Sequence, residues 1–165
     1  MIRLELILPM NPRRLYLDTS VIGGYFDPEF SGPTRLLWKQ AKLGRWRFLT
    51  SLVAEREIQF APARVRKLFS ESFGQGTLLD ISLEIEELSV AYLQANCVPQ
   101  KYPDDALHVA MTTVHGLPLL VSWNFRHLAN IRREEGFNAV NLARGYPMIR
   151  IVSPNELIYD DEDDE

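Results

Sequence analysis

The run Leu117-Pro118-Leu119-Leu120-Val121-Ser122 is apolar nearly throughout and carries no charge. A strand that alternates can leave one face to water. A continuously apolar one is expected to be buried on both faces, as in a parallel sheet between layers of helices. Its neighbours supply such layers. Residues 104 to 115 have helical character and end before Gly116, and helices are expected again from about Arg126 to Arg144.

The rest of the chain follows the same alternation. "RLYLDTS" reads as a short strand ending at Asp18, with Thr19 or Ser20 capping a helix toward Tyr25 and Phe26. "DPEFSGP" breaks the chain, and Thr34 to Leu43 is helical up to Gly44. "WRFLTS" is a second strand, Ser51 caps the helix "LVAEREIQFA", and a further helix after Pro62 runs to Gly74. "TLLDIS" is a third strand candidate, residues 82 to 96 form a helix, "MIRIVS" is the last strand, and "PNELI" closes the chain with a short turn. Strands alternating with helices predict an α/β fold with a mostly parallel sheet. At 165 residues and 46% hydrophobic, the chain has material for one domain with a proper core.

The net charge of −4 is misleading, because the last six residues, "DDEDDE", are all acidic. Without them 16 acids face 18 Lys and Arg, a body of about +2. The tail is expected to be disordered, since like charges repel and nothing apolar is there to bury. The body's cations cluster at Arg13-Arg14, Arg45/Arg47, Arg64/Arg66/Lys67 and Arg126/Arg132/Arg133. This is compatible with a polyanionic substrate, and equally with solvated helix faces. There is no run of 18 apolar residues to span a membrane, and no secretory signal is expected. A lone Cys97 fits a reducing cytoplasm and a packed side chain.

Open α/β sheets bind ligands at the carboxyl ends of their strands. Asp18 ends the first strand, Asn124 follows "LPLLVS", and Glu55 and Glu57 lie on the helix after "WRFLTS". Asp104 and Asp105 open the helix that leads into "LPLLVS", and His108 lies one turn on. Each has a plainer reading. Asp18 can order a turn, the glutamates can face solvent, and the paired aspartates can be a cap and a first-turn acid. Asn124 can cap the next helix, and His108 can fill a polar gap. Together, carboxylates in one cleft repel unless something positive lies between them. With oxygen donors on offer, that is a hard divalent cation, Mg²⁺ or Mn²⁺. Zinc is disfavoured by one cysteine and three dispersed histidines, His108, His115 and His127. A hard cation that activates water and polarises a phosphoryl oxygen suits phosphodiester hydrolysis. Neither a Gly-rich phosphate loop nor a Gly-x-Ser-x-Gly elbow is present.

"RLYLDTSVI", "SLVAEREI", "DDALHVAMTTVHGLPLLVSWNFRHLAN" and "IVSPNELI" together resemble PIN-domain proteins of the VapC-type toxin group, from about Arg14 to Ile158. The resemblance implies a three-layer α/β/α fold, with residues 13–158 as the domain. Residues 1–12 are an N-terminal extension, an edge strand or a leader, and residues 159–165 are the acidic tail. It implies a Mg²⁺- or Mn²⁺-dependent endoribonuclease using metal-activated water, the toxin of a type II toxin–antitoxin pair. A cognate antitoxin and a homodimer are the expected partners, with RNA as substrate. Trp38 and Trp46 would then serve a dimer interface or belong to the core. Carried over, the catalytic residues are Asp18, Glu57, Asp105 and Asn124, and the metal ligands Asp18, Glu57 and Asp105. Glu57 rather than Glu55 matches in its spacing from Ser51. Ser20, Asp104 and His108 would support them, with Asp104 serving the helix end while Asp105 faces the metal, and Arg126 would bind substrate. Many PIN proteins have an aspartate where this chain has Asn124, a neutral and weaker ligand. That admits a second reading, a catalytically weak PIN-fold module that binds RNA or protein.

Overall fold

The computed structural model describes residues 12–74 and 76–158. The expected tail, 159–165, and all but Pro12 of the expected extension lie outside the described residues. Strand β1 (Arg13–Leu17) leads into α1 (Thr19–Gly24) and α2 (Ser31–Lys42), and β2 (Trp46–Leu49) into α3 (Leu52–Ile58) and α4 (Ala63–Ser72). Helices α5 (Leu83–Gln94) and α6 (Pro103–Val114) precede β3 (Leu119–Val121), and α7 (Ile131–Ala143) precedes β4 (Arg150–Val152) and a 3₁₀ turn, Pro154–Glu156.

The four strands pair in parallel in the order β2-β1-β3-β4. Tyr16 is in register with both Leu49 and Leu120, and Val121 with Val152. The period of two divides the core. Leu15, Leu17, Leu119 and Val121 pack on one face with α1, α2 and α4, while Tyr16, Leu120 and Ile151 pack on the other with α5, α6 and α7. Helix α3 feeds both sides, Ala54 and Ile58 to the first and Val53 to the second. The result is three layers, α/β/α, with both sheet faces covered. From β1 the chain goes first to β2 on one side and later to β3 on the other. The strand order therefore reverses beside β1, where open sheets form a crevice.

Several local expectations need correction. "TLLDIS" is not a strand of the sheet. Leu79 makes one isolated bridge to Ser51, with Leu52 N–H donating to Leu79 and Leu79 N–H to Thr50, before Ser82 caps α5. Trp38 and Trp46 are buried, their indole N–H groups donating to Ser72 and Gln40, so of the two expected readings they take that of core residues. Helix α7 starts at Ile131, because Asn130 takes the cap by accepting Arg133 N–H; residues 124–130 are turns. Cys97 is packed away, and burial pushes its thiol pKa up, as for an inert side chain. Among the described residues no helix is long and apolar enough to cross a membrane.

One glycine fixes the entrance to the crevice. A Cβ on Gly24 would lie 2.7 Å from Cδ1 of Trp123. Only glycine lets the end of α1 approach the residue after β3 this closely, which sets the separation of the β1 and β3 crossovers.

Candidate active site

The carboxyl ends of β1 and β3 meet first. Asp18 N–H donates to Val121 C=O at 3.2 Å, and Ser122 N–H to Val152 C=O at 2.9 Å. Asp18, not Thr19 or Ser20, is the N-cap of α1. One carboxylate oxygen accepts Ser20 Oγ–H at 2.6 Å and Val21 N–H at 3.3 Å, and the other accepts the Ser122 hydroxyl. Ser20 Oγ in turn accepts Trp123 N–H at 2.9 Å. The side chain is 3% exposed, and this burial raises its pKa, opposed by the charge of His108 and the three donors.

Glu57 comes from the last turn of α3. Its Oε1 accepts Thr19 Oγ1–H at 3.0 Å and lies 2.6 Å from His108 Nε2. Burial alone would raise its pKa. The bond to and charge of His108 outweigh it, so the carboxyl is held below its usual range. His108, on α6, is 2% exposed. Desolvation favours its neutral form, but Glu57, Asp18 and Asp105 all act on it, and its pKa is raised. As the imidazolium, the ring donates from Nε2 to Glu57 and from Nδ1 to Tyr16 Oη at 2.7 Å. Tyr16 Oη lies 2.7 Å from Ser51 Oγ, the N-cap of α3.

Asp105 stands in the first turn of α6, with Oδ2 3.1 Å from His127 Nδ1. Burial raises its pKa; the His127 bond and the charges of His108 and His127 lower it, and Glu57 raises it. Its neighbour Asp104 does not cap the helix. Tyr102 is the N-cap residue and Pro103 the first residue of α6, so one orphan N–H is absent, and Asp104 instead pairs with Arg56 at 2.8 Å.

Asn124 follows β3. Its backbone N–H donates to Ser122 Oγ, and its Oδ1 accepts His127 N–H at 3.0 Å. It lines a groove of about 630 Å³ with Thr19, Ser20, Phe30, Pro62 and Trp123. Arg126 is exposed two residues on, at the rim of this turn. Glu55 is exposed and borders a different groove with Phe69 and Phe73.

Glu57 is bonded to His108, whose charge also acts on Asp18 and Asp105, and Asn124 is tied in through Ser122 and His127. What the residue pattern missed is the hydroxyl and imidazole frame: Ser122, Thr19, Tyr16 and His127. Ser122 was visible as the polar end of an apolar strand, and His127 as the partner in Asn-x-x-His. The other two carry no local signal.

Carboxylate oxygens are the donors a hard cation takes, and burial raises the pKa values of Asp18 and Asp105. Among the described residues no group of three or more His, Cys, Asp or Glu side chains is placed to hold a metal ion. Mg²⁺ does not require one, being commonly held by one or two carboxylates and several waters.

Without a bound cation, the titrations predict a pH optimum of stability. Stability supplied by Glu57 is present above the unfolded glutamate pKa, about 4.3, and fades as pH falls through its lowered folded value. That supplied by His108 is complete below the unfolded histidine pKa, about 6.5, and is lost as pH rises through the raised one. Asp18 and Asp105, also raised, bind protons more tightly folded than unfolded and act in the same sense as His108. Urea melts in chelator should give a maximum at mildly acidic pH. A stability still rising from neutral to alkaline pH would contradict this.

Fold and cleft together define a three-layer α/β/α protein with an acidic site at the carboxyl edge of a parallel sheet. Among solved structures it is similar to a chain in the crystal structure of FitAcB from Neisseria gonorrhoeae, with a TM-score of 0.53 and 13% identity over 85% of this chain and 97% of that one. At that identity the likeness carries the fold alone. No family model matches the chain, and no curated protein sequence matches it.

Proposed function

We propose that the protein is a metal-dependent endoribonuclease of PIN type and the toxin of a toxin–antitoxin pair. The observation that carries this reading is a buried histidine at the sheet's reversal point, bonded to Glu57 and acting by its charge on Asp18 and Asp105, beside an open groove. Support also comes from the motifs of the VapC-type group along the chain and from the fold. Asp18 and Asp105 would hold Mg²⁺ or Mn²⁺, with Glu57 shared between the ion and His108. When bound, the ion supplies an activated water and polarises the scissile phosphate.

The chain's own groups do the rest. Ser20, Ser122 and Val21 N–H lock the Asp18 carboxylate in one orientation, so no reorganisation is needed on binding. His108 pins Glu57 from behind while Thr19 pins it from the side. Glu57 is the half-buried acid of the cluster, its carboxyl held below the usual range by the bond to and charge of His108. His127 orients Asp105, and Arg126 at the rim is suited to a phosphate. A cognate antitoxin and a second copy of the chain are the partners of this reading, and the cytoplasm its compartment.

The test is cleavage of a labelled RNA in Mn²⁺, in Mg²⁺ and in excess chelator. Cleavage should require a metal, and activity that persists in chelator sinks the mechanism. The second reading, a binding module, is favoured by one observation: the side-chain oxygen of Asn124 is engaged by His127 N–H rather than left for a cation. Such a module would bind RNA or a protein partner but cut nothing in any metal.

A further inference from the structure

The two edges of the sheet are finished differently. Ser122 N–H donates to Val152 C=O, so by the alternation of a strand the groups of β4 that face away from β3 belong to Ile149, Ile151 and Ser153. Side chains take them. Asn138 accepts Ile149 N–H at 2.9 Å and donates to its C=O at 2.8 Å, Glu134 accepts Ile151 N–H at 2.8 Å, and Glu156 accepts Ser153 N–H at 2.9 Å. These bonds close the β4 edge to a further strand.

The other edge is β2. Thr50 C=O and Leu52 N–H point outward, to Leu79, so Phe48 presents its N–H and C=O on the same side. Leu79 reaches only this far end, and among the described residues none bonds the backbone of Phe48 on that side. Beside it runs a groove of about 500 Å³. Trp38 and Phe48, 4.8 Å apart, and Leu68 make an apolar wall, Lys42 adds a cation, and the acid Glu71 is 3.8 Å from Lys67. The other face of the edge is basic. Arg14 and Arg47 are in register on neighbouring strands, both are exposed, and among the described residues neither is paired with an acid. Like charges side by side on a sheet repel, and an acid laid alongside relieves them. Both arginines lie toward the amino ends of their strands, away from Asp18 and Asn124, and this groove shares no lining residue with the one at the cleft.

We propose that the outer edge of β2 is a docking site for an extended acidic peptide of a partner protein, which joins the sheet as a further strand. Its backbone takes the Phe48 N–H and C=O, alternate apolar side chains enter the groove, and the acidic side chains between them meet Arg47 and Arg14. The site is separate from the nuclease reading and stands without it. Two other occupants fit less well. A second copy pairing its own β2 here would set arginine against arginine. RNA would meet the arginines through its phosphates but cannot pair in strand register with Phe48.

The test uses the full chain at low salt and a labelled peptide of about eight residues that alternates leucine and glutamate. Fluorescence anisotropy should show saturable binding. Three changes should each weaken it about tenfold or more: N-methylation of the peptide backbone, which keeps its charge and removes its donors, Arg47→Glu and Arg14→Glu. Both arginines are exposed, and circular dichroism checks each variant's fold. By NMR the Phe48 amide should exchange freely in the protein alone and about tenfold more slowly with the peptide. An alternating peptide that does not bind, an N-methylated one that binds equally, or wild-type affinity in both variants overturns the proposal. So does a Phe48 amide already protected in the protein alone, which means that another part of the chain or a second copy covers the edge. Polyuridine that binds with loss in Arg47→Glu, while the peptide does not bind, gives the face to nucleic acid instead.

Discussion

Asp18→Asn and Asp105→Asn each lose metal-dependent RNA cleavage by about a thousandfold, the equivalent of about 4 kcal/mol of transition-state stabilisation. Both substitutions keep the shape of the side chain and remove its charge. Asp18 sits against hydroxyl groups of Ser20 and Ser122, which can turn to meet an amide, so the end of β1 and the start of α1 stay in place. Asp105 keeps an oxygen toward His127. The loss is therefore one of function, and far-UV circular dichroism and a cooperative melt should be retained. Glu55→Gln is the control: it is an acid on the same helix as Glu57, exposed and facing another groove, and it should cleave like the wild type. Initial rates on one labelled RNA in Mn²⁺ measure all three. An Asp105→Asn protein that cuts at the wild-type rate contradicts the assignment.

His108→Phe should produce the largest loss of stability. The volume is roughly kept, so little cavity forms, but the ring that acts on Asp18, Glu57 and Asp105 together is removed. Breaking a buried ion pair from one side costs about 3–5 kcal/mol, because the remaining charge is left without a partner. The Tyr16 hydroxyl also loses a hydrogen-bond partner in a fully buried setting. Urea melts in chelator read the loss. Two changes should restore part of it: Glu57→Gln in the same chain, which removes the stranded charge, and added Mn²⁺, which supplies a positive charge in place of the imidazolium. A His108→Phe protein as stable as the wild type in chelator would show that the ring merely fills space.

How much of this was legible beforehand differs by residue. The continuous apolar run ending at Ser122 pointed to a strand covered on both faces, and β3 is central and fully buried. Ser51 as the cap of α3 was readable because a cap bonds within its own turn. "TLLDIS" has the composition of a strand yet makes only one bridge, Leu79 to Ser51, just past the end of β2. The paired aspartates of α6 have different partners, but Asp104 does not serve the helix end as expected. Asp104 is bound to Arg56, 48 positions away, and no pattern inside the helix reveals that partner. The same holds for Ser122 on Asp18, 104 positions apart, and for Tyr16 on His108, 92 apart. Local chemistry announces caps and strands. The frame that aims a functional side chain is assembled across the sheet, and sequence distance hides it. His108 is the clearest case: on its own helix it looks like a polar filler, and only the fold surrounds it with three carboxylates.

The account's central claim is that acids delivered by β1, α3 and α6 make a place for one hard divalent cation. Calorimetric titration of Mn²⁺ into chelator-stripped protein, with Asp18→Asn in parallel, tests it most directly. The wild type should take up close to one ion per chain, and the variant should lose that site while remaining folded. No binding to the wild type, or binding of equal strength to both proteins, would contradict it.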